Sequence, residues 1–96
     1  MTELKEIEEV LKANKTYLRQ KFKVKKIGIF GSFSRKQQTK KSDVDILVEF
    51  FEPLGWEFFD LKEYLEQILG KKVDLVTKAG LRIQMKDEIL NQVIYI

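Results

Sequence analysis

The sequence contains no cysteine and no histidine. Without cysteine the chain has no disulfide, no thiolate nucleophile and no zinc-thiolate site. Without histidine, any general base or metal ligand has to be a carboxylate, a hydroxyl, a lysine or a backbone group. These absences favour a hard cation bound by oxygen, such as Mg²⁺, over zinc.

Long apolar runs and strong charge of one sign are also missing. No run approaches the roughly 20 residues that span a bilayer, and the first residues lack the basic and apolar blocks of a secretion signal. We therefore expect a cytoplasmic protein that does not enter a membrane. A net charge of +3 makes nucleic acid an unlikely partner, because scattered lysines usually form a solvated surface. The 96 residues suffice for one core but not for two, so residues 1–96 are expected to form a single domain.

The spacing of apolar residues predicts helices interleaved with strands. Helices repeat apolar residues every three or four positions, whereas the expected strands are short and rich in β-branched residues. This order favours an α+β, layered α/β fold in which helices cover one sheet. The predicted elements are a helix over Thr2–Gln20, a strand over Val24–Phe30, a brief helix capped by Ser32, a loop over Lys36–Ser42, a strand over Val44–Phe51, a helix over Glu57–Leu69 ended by Gly70, a strand over Lys72–Thr77, and a helix over Leu81–Val93 with Met85, Ile89, Leu90 and Val93 facing inward.

Two aspartates stand two positions apart at the head of the second strand. Side chains at this spacing point to the same face of a strand, so Asp43 and Asp45 are expected to converge. Adjacent carboxylates repel each other unless a cation lies between them, as in sites where paired metal ions assist phosphoryl transfer. Asp43 would also suit the simple start of a strand. Asp45 lies inside an apolar run, where an unpaired carboxylate is costly, and it therefore favours a metal site.

Asp74 is a third charged residue within a short apolar strand. If that strand belongs to the same sheet, Asp74 joins the site as a metal ligand or as the base for an attacking hydroxyl. The alternative is an edge-strand residue that faces solvent.

Gly31 and Ser32 follow the first strand at the predicted turn into a helix. Glycine permits close approach of the backbone, and free amides at a helix start attract phosphate oxygens. The same dipeptide also suits an ordinary turn with a helix cap. The glycines of the Walker A and Rossmann motifs are absent, so a phosphate site here requires a different cradle.

Together these residues read G-S, ten residues, D-x-D, from Gly31 to Asp45. The pattern resembles the nucleotidyltransferase family that includes DNA polymerase beta, and it is most similar to the minimal members. The resemblance implies a mixed sheet, two Mg²⁺ ions on Asp43, Asp45 and Asp74, and a triphosphate held by Gly31 and Ser32. It also implies transfer of a nucleoside monophosphate with release of pyrophosphate.

The minimal members that this chain resembles are antitoxins paired with a HEPN-domain ribonuclease toxin. The resemblance implies that ATP is the substrate and that AMP is attached to a tyrosine of the toxin. One departure is visible: the family usually has a small residue, arginine and glycine where this chain has Ser34, Arg35 and Lys36. Arg35 would suit either a phosphate contact or a pair with a carboxylate.

Three other functions are alternatives to this one. A non-catalytic antitoxin with a vestigial nucleotide site is the main alternative. A small-molecule resistance enzyme would need more chain, and a nucleic-acid nucleotidyltransferase would need a more basic surface.

A domain of this size has little surface left to enclose an acceptor, which favours a protein acceptor that docks. Two interpretations are open for the apolar residues at Phe50, Phe51, Trp56, Phe58 and Phe59 and in the tail Val93–Ile96: they form the docking surface, or they pack in the core. Phe58 fits the buried stripe of its helix, whereas Trp56 and Phe59 do not.

Overall fold

The computed structural model describes residues 3–35, 37, 39 and 42–96. In chain order these residues form α1 (Glu3–Ala13), α2 (Lys15–Phe22), β1 (Val24–Phe30), β2 (Val44–Phe50), α3 (Glu57–Leu69), β3 (Val73–Thr77), α4 (Ile83–Gln92) and β4 (Ile94–Tyr95).

The strands form one mixed sheet in the order β3-β2-β1-β4. β1 pairs antiparallel with β2 and with β4, and β2 pairs parallel with β3. A parallel pair needs a crossover connection, and α3 supplies it. The α+β fold class and the mixed sheet are therefore confirmed.

The two faces of the sheet have different coverings. Val44, Ile46 and Val48 point to the face that packs against α1, α2 and α3 and are fully buried there. The alternate residues of β2 point to the other face, where Leu47 joins a smaller apolar cluster with Phe30 and with Ile89 of α4. Asp45 alternates with these core residues and so belongs to the face that α4 covers.

The predicted first helix is two helices, which corrects the single span over Thr2–Gln20. The break lies at Asn14, whose side-chain amide donates to the carbonyl of Val10 (2.8 Å). The same carbonyl also accepts the backbone amide of Asn14 (3.2 Å), so the side chain adds a second hydrogen bond at the end of α1. The hydroxyl of Tyr64 on α3 donates to the Asn14 side-chain oxygen (2.7 Å) and holds this junction against the core.

We expect Tyr64→Phe to lower the free energy of unfolding by about 1 kcal/mol, because a half-buried hydrogen bond is lost while the ring contacts remain. Urea titration of both proteins measures this difference. Tyr17→Phe is the matched control, since the Tyr17 ring packs 5.0 Å from that of Tyr64 and its side chain is exposed. Equal stability of Tyr64→Phe and the parent would contradict a structural role for this bond.

The C-terminal tail is part of the sheet, so of the two interpretations of this segment the structure supports core packing. Ile94 pairs with Ile29 and Tyr95 with Gly28, and both Ile94 and Ile96 pack against the main core. Apolar residues in a short segment do not by themselves distinguish an edge strand from an exposed tail.

Three of the four residues predicted on the inner face of the last helix do face the sheet. Ile89, Leu90 and Val93 pack on the sheet as expected, but Met85 is 48% exposed.

None of the helices in the described part of the chain is both long and apolar enough to cross a membrane.

Candidate active site

Two of the predicted aspartates meet at one end of the sheet. Asp45, the second residue of β2, lies between Phe30 at the end of β1 and Asp74 on β3 in the strand register. The side chains of Asp45 and Asp74 are within hydrogen-bonding reach of each other. Asp43 precedes β2 and is exposed, close enough for its charge to act on Asp45. One sheet end therefore gathers all three carboxylates.

Gly31 lies directly against Asp45. Its φ of 72° is in the left-handed region, which glycine adopts without a steric penalty. A Cβ atom at this position would lie 2.9 Å from the Asp45 carboxyl carbon and would overlap its Oδ2. The Asp45 carboxylate therefore occupies the position that a side chain at residue 31 would need.

The segment after Gly31 is a turn, which corrects the expected brief helix. The carbonyl of Gly31 accepts the amide of Arg35 (3.1 Å), and the carbonyl of Ser32 accepts the amide of Gln37 (2.8 Å). The second bond spans five residues, one more than an α-helix uses, so helical geometry does not continue. Gly31 and Ser32 still stand at the start of this turn, ahead of the first amide that bonds within it.

The sequence departure near this turn has a structural effect at Ser34. Its hydroxyl donates to the carbonyl of Gly31 (2.9 Å), so the side chain braces the turn. Lys36, where the family usually has glycine, lies outside the described residues.

Arg35 is exposed, and its positive charge acts on Asp45. It also donates to the side-chain oxygen of Gln92 at the end of α4 (3.5 Å). No local pattern in the sequence connects Gln92 with Arg35, because 57 positions separate the two residues.

The pKa of Asp45 is raised from its ordinary value of 3.8 to about 6. Burial of the carboxyl group contributes most, followed by the negative charges of Asp74 and Asp43 and a hydrogen bond with Asp74. The charge of Arg35 opposes the shift but does not cancel it. The folded protein therefore holds more negative charge at this point than its own residues neutralise.

This shift predicts that stability falls as pH rises from about 4 to about 6. Below pH 3.8 the Asp45 carboxyl group is protonated in both the folded and the unfolded protein. As the pH rises, the unfolded protein loses this proton near pH 3.8, whereas the folded protein loses it only near pH 6. At pH 7 Asp45→Asn should therefore be more stable than the parent, by about 1 kcal/mol, because water screens part of the repulsion at this half-buried carboxyl group.

Urea titrations at pH 4, 5, 6 and 7 measure this difference, which should grow with pH. Asp87→Asn, which removes an exposed carboxylate on α4, should follow the parent profile. A gap between parent and Asp45→Asn that is constant with pH would rule out a raised pKa as its cause.

The donor set at this sheet end fits a divalent cation. All the donors are carboxylate oxygens, which Mg²⁺ prefers. The excess negative charge on Asp45 also fits a bound cation. Within residues 3–35, 37, 39 and 42–96, no three carboxylates are placed to enclose a metal by themselves. An ion here would thus need further ligands besides these carboxylates.

The predicted docking aromatics lie at the other end of the sheet. β2 runs from Asp45 to Phe50, about 17 Å along the strand. Trp56 is 84% exposed and Phe59 is 60% exposed, whereas Phe58 packs against the core as its spacing predicted. These exposed rings therefore do not line the aspartate site.

The chain was compared with known proteins. The family model described as a nucleotidyltransferase domain matches residues 7–96. The protein adenylyltransferase MntA of Thermococcus cleftensis is 46% identical, and the match covers 100% of this chain and 98% of the relative. A candidate protein adenylyltransferase of Methanocaldococcus jannaschii is 47% identical over the full length of both chains.

Solved structures show the same fold. A candidate minimal nucleotidyltransferase superposes with a TM-score of 0.81 at 28% identity, covering 95% of this chain and 93% of that one. A toxin-antitoxin structure with AMP-PNP superposes with a TM-score of 0.69 at 26% identity, covering 96% of this chain and 70% of that one. From the family match, the identity to full-length relatives and the shared fold, we conclude that this chain belongs to the nucleotidyltransferase domain family.

Proposed function

We propose that this chain transfers AMP from ATP to a tyrosine of a partner protein, a HEPN-family ribonuclease toxin, and thereby acts as its antitoxin in the cytoplasm. The observation that carries the proposal is the meeting of Gly31, Asp45 and Asp74 at one sheet end. The name of the Thermococcus relative, protein adenylyltransferase, supports the reaction class. The toxin-antitoxin structure with AMP-PNP supports an adenine nucleotide and a toxin partner.

Each predicted site residue has a role in this proposal. Asp43, Asp45 and Asp74 hold Mg²⁺, with two ions as the family resemblance implies. Bound Mg²⁺ neutralises charge on the phosphate oxygens and orients the reacting groups. Gly31 and Ser32 hold the triphosphate: Gly31 leaves room for close approach, and Ser32 offers its amide and its hydroxyl.

In the proposed reaction a hydroxyl of the partner protein displaces pyrophosphate from ATP. The tyrosine oxygen attacks the α-phosphorus, the new bond joins that oxygen to phosphorus, and the bond to the β-phosphate oxygen breaks. Pyrophosphate leaves, and the tyrosine proton passes to a carboxylate. Asp74 is exposed on the edge strand β3, where a hydroxyl from a docked protein can reach it.

The proposal also accounts for the small size of the chain. The 96 residues act as one domain that presents the nucleotide at an open sheet end. The acceptor is then supplied by the surface of the partner.

Labelled ATP tests the proposal. The chain is mixed with the protein encoded beside its gene and with ATP labelled at either the α- or the γ-phosphate. We expect label from the α-position to remain on the partner, pyrophosphate to be released, and EDTA to stop the reaction until excess Mg²⁺ is added. Transfer of the γ-label would indicate a kinase, and absence of both labels would overturn the enzyme assignment.

A further inference from the structure

Basic residues are concentrated in one part of the sequence. Residues 10–42 contain eleven lysines and arginines and no acidic residue, so the net charge of +3 conceals a strong separation of charge. Part of this basic segment builds α2 and β1. A surface formed by these elements therefore has no acidic neighbours from its own stretch of chain.

A groove lies between the α1–α2 junction and β1. It has a volume of about 290 Å³. The floor is formed by the buried apolar residues Leu18, Val24 and Ile27. The rim carries four cations and no carboxylate, namely Lys12, Lys15, Arg19 and Lys25.

Three of these cations, Lys12, Arg19 and Lys25, have no carboxylate partner in the part of the chain that the structure describes. The Lys15 ammonium donates to the main-chain oxygen of Ile96 (2.9 Å), and the Arg19 guanidinium lies 4.9 Å from the centre of the Phe51 ring. The ring contact leaves the charge of Arg19 without a counter-charge. The groove thus presents a field of one sign above an apolar floor, which favours a ligand that is both acidic and apolar.

One wall of the groove is an open strand edge. β4 pairs with Gly28 and Ile29, and the amide of Ile96 donates to the carbonyl of Ile27 (2.9 Å). β1 continues beyond this point to Val24, and the sheet places no described strand beside Val24–Lys26 on that side. An open strand edge offers backbone groups to an incoming extended segment.

We propose that this groove binds an extended acidic segment of a partner protein, which lies along β1 and continues the line of β4. Alternate side chains of a strand point in opposite directions, so apolar residues of the segment meet the floor while acidic residues meet the rim. Val24 is six positions from Phe30, about 20 Å along the strand. The groove is therefore separate from the aspartate site and does not depend on the proposed transfer of AMP.

The groove favours a peptide over RNA. Proteins that bind single strands commonly stack bases on aromatic rings, and the described residues that line this groove include no aromatic ring. The apolar floor and the strand edge match a peptide instead, because a peptide supplies both apolar side chains and backbone hydrogen-bonding groups.

Fluorescence polarisation with a labelled peptide of alternating glutamate and valine tests this proposal. We expect saturable binding that weakens by about tenfold or more in the double variant Lys15→Glu/Arg19→Glu. The matched control, Lys62→Glu/Lys78→Glu, makes the same change in net charge at exposed sites outside the groove and should bind like the parent. The peptide should also slow amide hydrogen exchange over Lys25–Ile27, which attraction between charges alone would not do.

Three results would overturn the proposal. They are absence of saturable binding, equal weakening in the control variant, and tighter binding of oligouridine than of the peptide, which would mark an RNA surface. Thermal unfolding of each variant confirms that the fold is retained before binding is compared.

Discussion

Asp45→Asn is expected to lower the rate of AMP transfer to the partner protein by at least about a hundredfold, which is the loss typical of removing one preorganised electrostatic contact to a phosphoryl or acyl transition state. Asp45 lies between Gly31 and Asp74, where the proposed cation and the α-phosphate meet. Asparagine keeps the shape but removes the charge. Transfer of α-labelled phosphate, measured as initial rates at saturating ATP and Mg²⁺, gives the size of the effect.

Asp60→Asn is the control for this prediction. Asp60 is exposed in the first turn of α3, at the other end of the sheet, and its loss should leave the rate nearly unchanged. An Asp45→Asn variant that labels the partner as fast as the parent would exclude the proposed site. A variant that no longer labels but still neutralises the toxin in cells would favour the alternative, an antitoxin that acts by binding alone.

The same substitution should change stability and activity in opposite directions. At pH 7 the raised pKa of Asp45 means that the fold is destabilised by its own carboxylate, so the inactive variant is the more stable protein. Carboxylates retained at such a cost are characteristic of functional sites. Loss of activity through simple misfolding would lower stability instead, and the two explanations are therefore separable.

Gly31→Ala is expected to abolish measurable transfer and to lower the free energy of unfolding by about 2–5 kcal/mol. Alanine at a φ of 72° costs about 1–2 kcal/mol. The added methyl group also overlaps the Asp45 carboxylate, and overpacking of this kind costs about 1–3 kcal/mol. Either Asp45 moves or the turn moves, and both displace the proposed phosphate cradle. Urea titration and the labelling assay measure the two effects.

Gly70→Ala separates backbone strain from steric overlap. Gly70 ends α3 with a similar φ of 65°, but among the described residues an added Cβ meets no atom within 4 Å. This control should therefore lose about 1 kcal/mol of stability and keep its activity. Equal losses of stability at positions 31 and 70 would show that contact with Asp45 contributes nothing.

A double-mutant cycle gives an independent check. Removing the Asp45 side chain should relieve part of the overlap, so Gly31→Ala should destabilise an Asp45→Ala background by at least about 1 kcal/mol less than it destabilises the parent. If the two substitutions had additive effects on the free energy of unfolding, residues 31 and 45 would not be in contact.

Much of the fold was predictable because local patterns and tertiary contacts agree. Val24–Phe30 and Glu57–Leu69 were predicted with the bounds that the structure shows. The first is a short run rich in β-branched residues, the second has a clear helical period, and each ends at a glycine. The prediction of a single first helix was wrong, because the helix breaks at Asn14. Leu11 and Leu18 keep helical spacing across the break, so periodicity alone does not reveal where a side chain of α3 holds the junction open.

The candidate site shows the same limit. The order G-S, ten residues, D-x-D indicated which residues carry the proposed chemistry. It also missed Gln92, and it placed a helix where the chain forms a turn. The position of the exposed rings of Trp56 and Phe59 relative to Asp45 depends on the direction of β2, which no local pattern expresses.

The sequence alone determined the chemistry available to this protein. Because cysteine and histidine are absent, a metal site has to use oxygen ligands, and the sequence identified the three aspartates and Gly31 as candidates. The tertiary structure alone decided how these residues act on one another. Parallel pairing of β2 with β3 sets Asp74 beside Asp45, and antiparallel pairing of β1 with β2 sets Gly31 against the same carboxylate. The physical reason is that the pKa of a carboxyl group depends on burial and on charges a few ångströms away, and those neighbours come from strands distant in sequence.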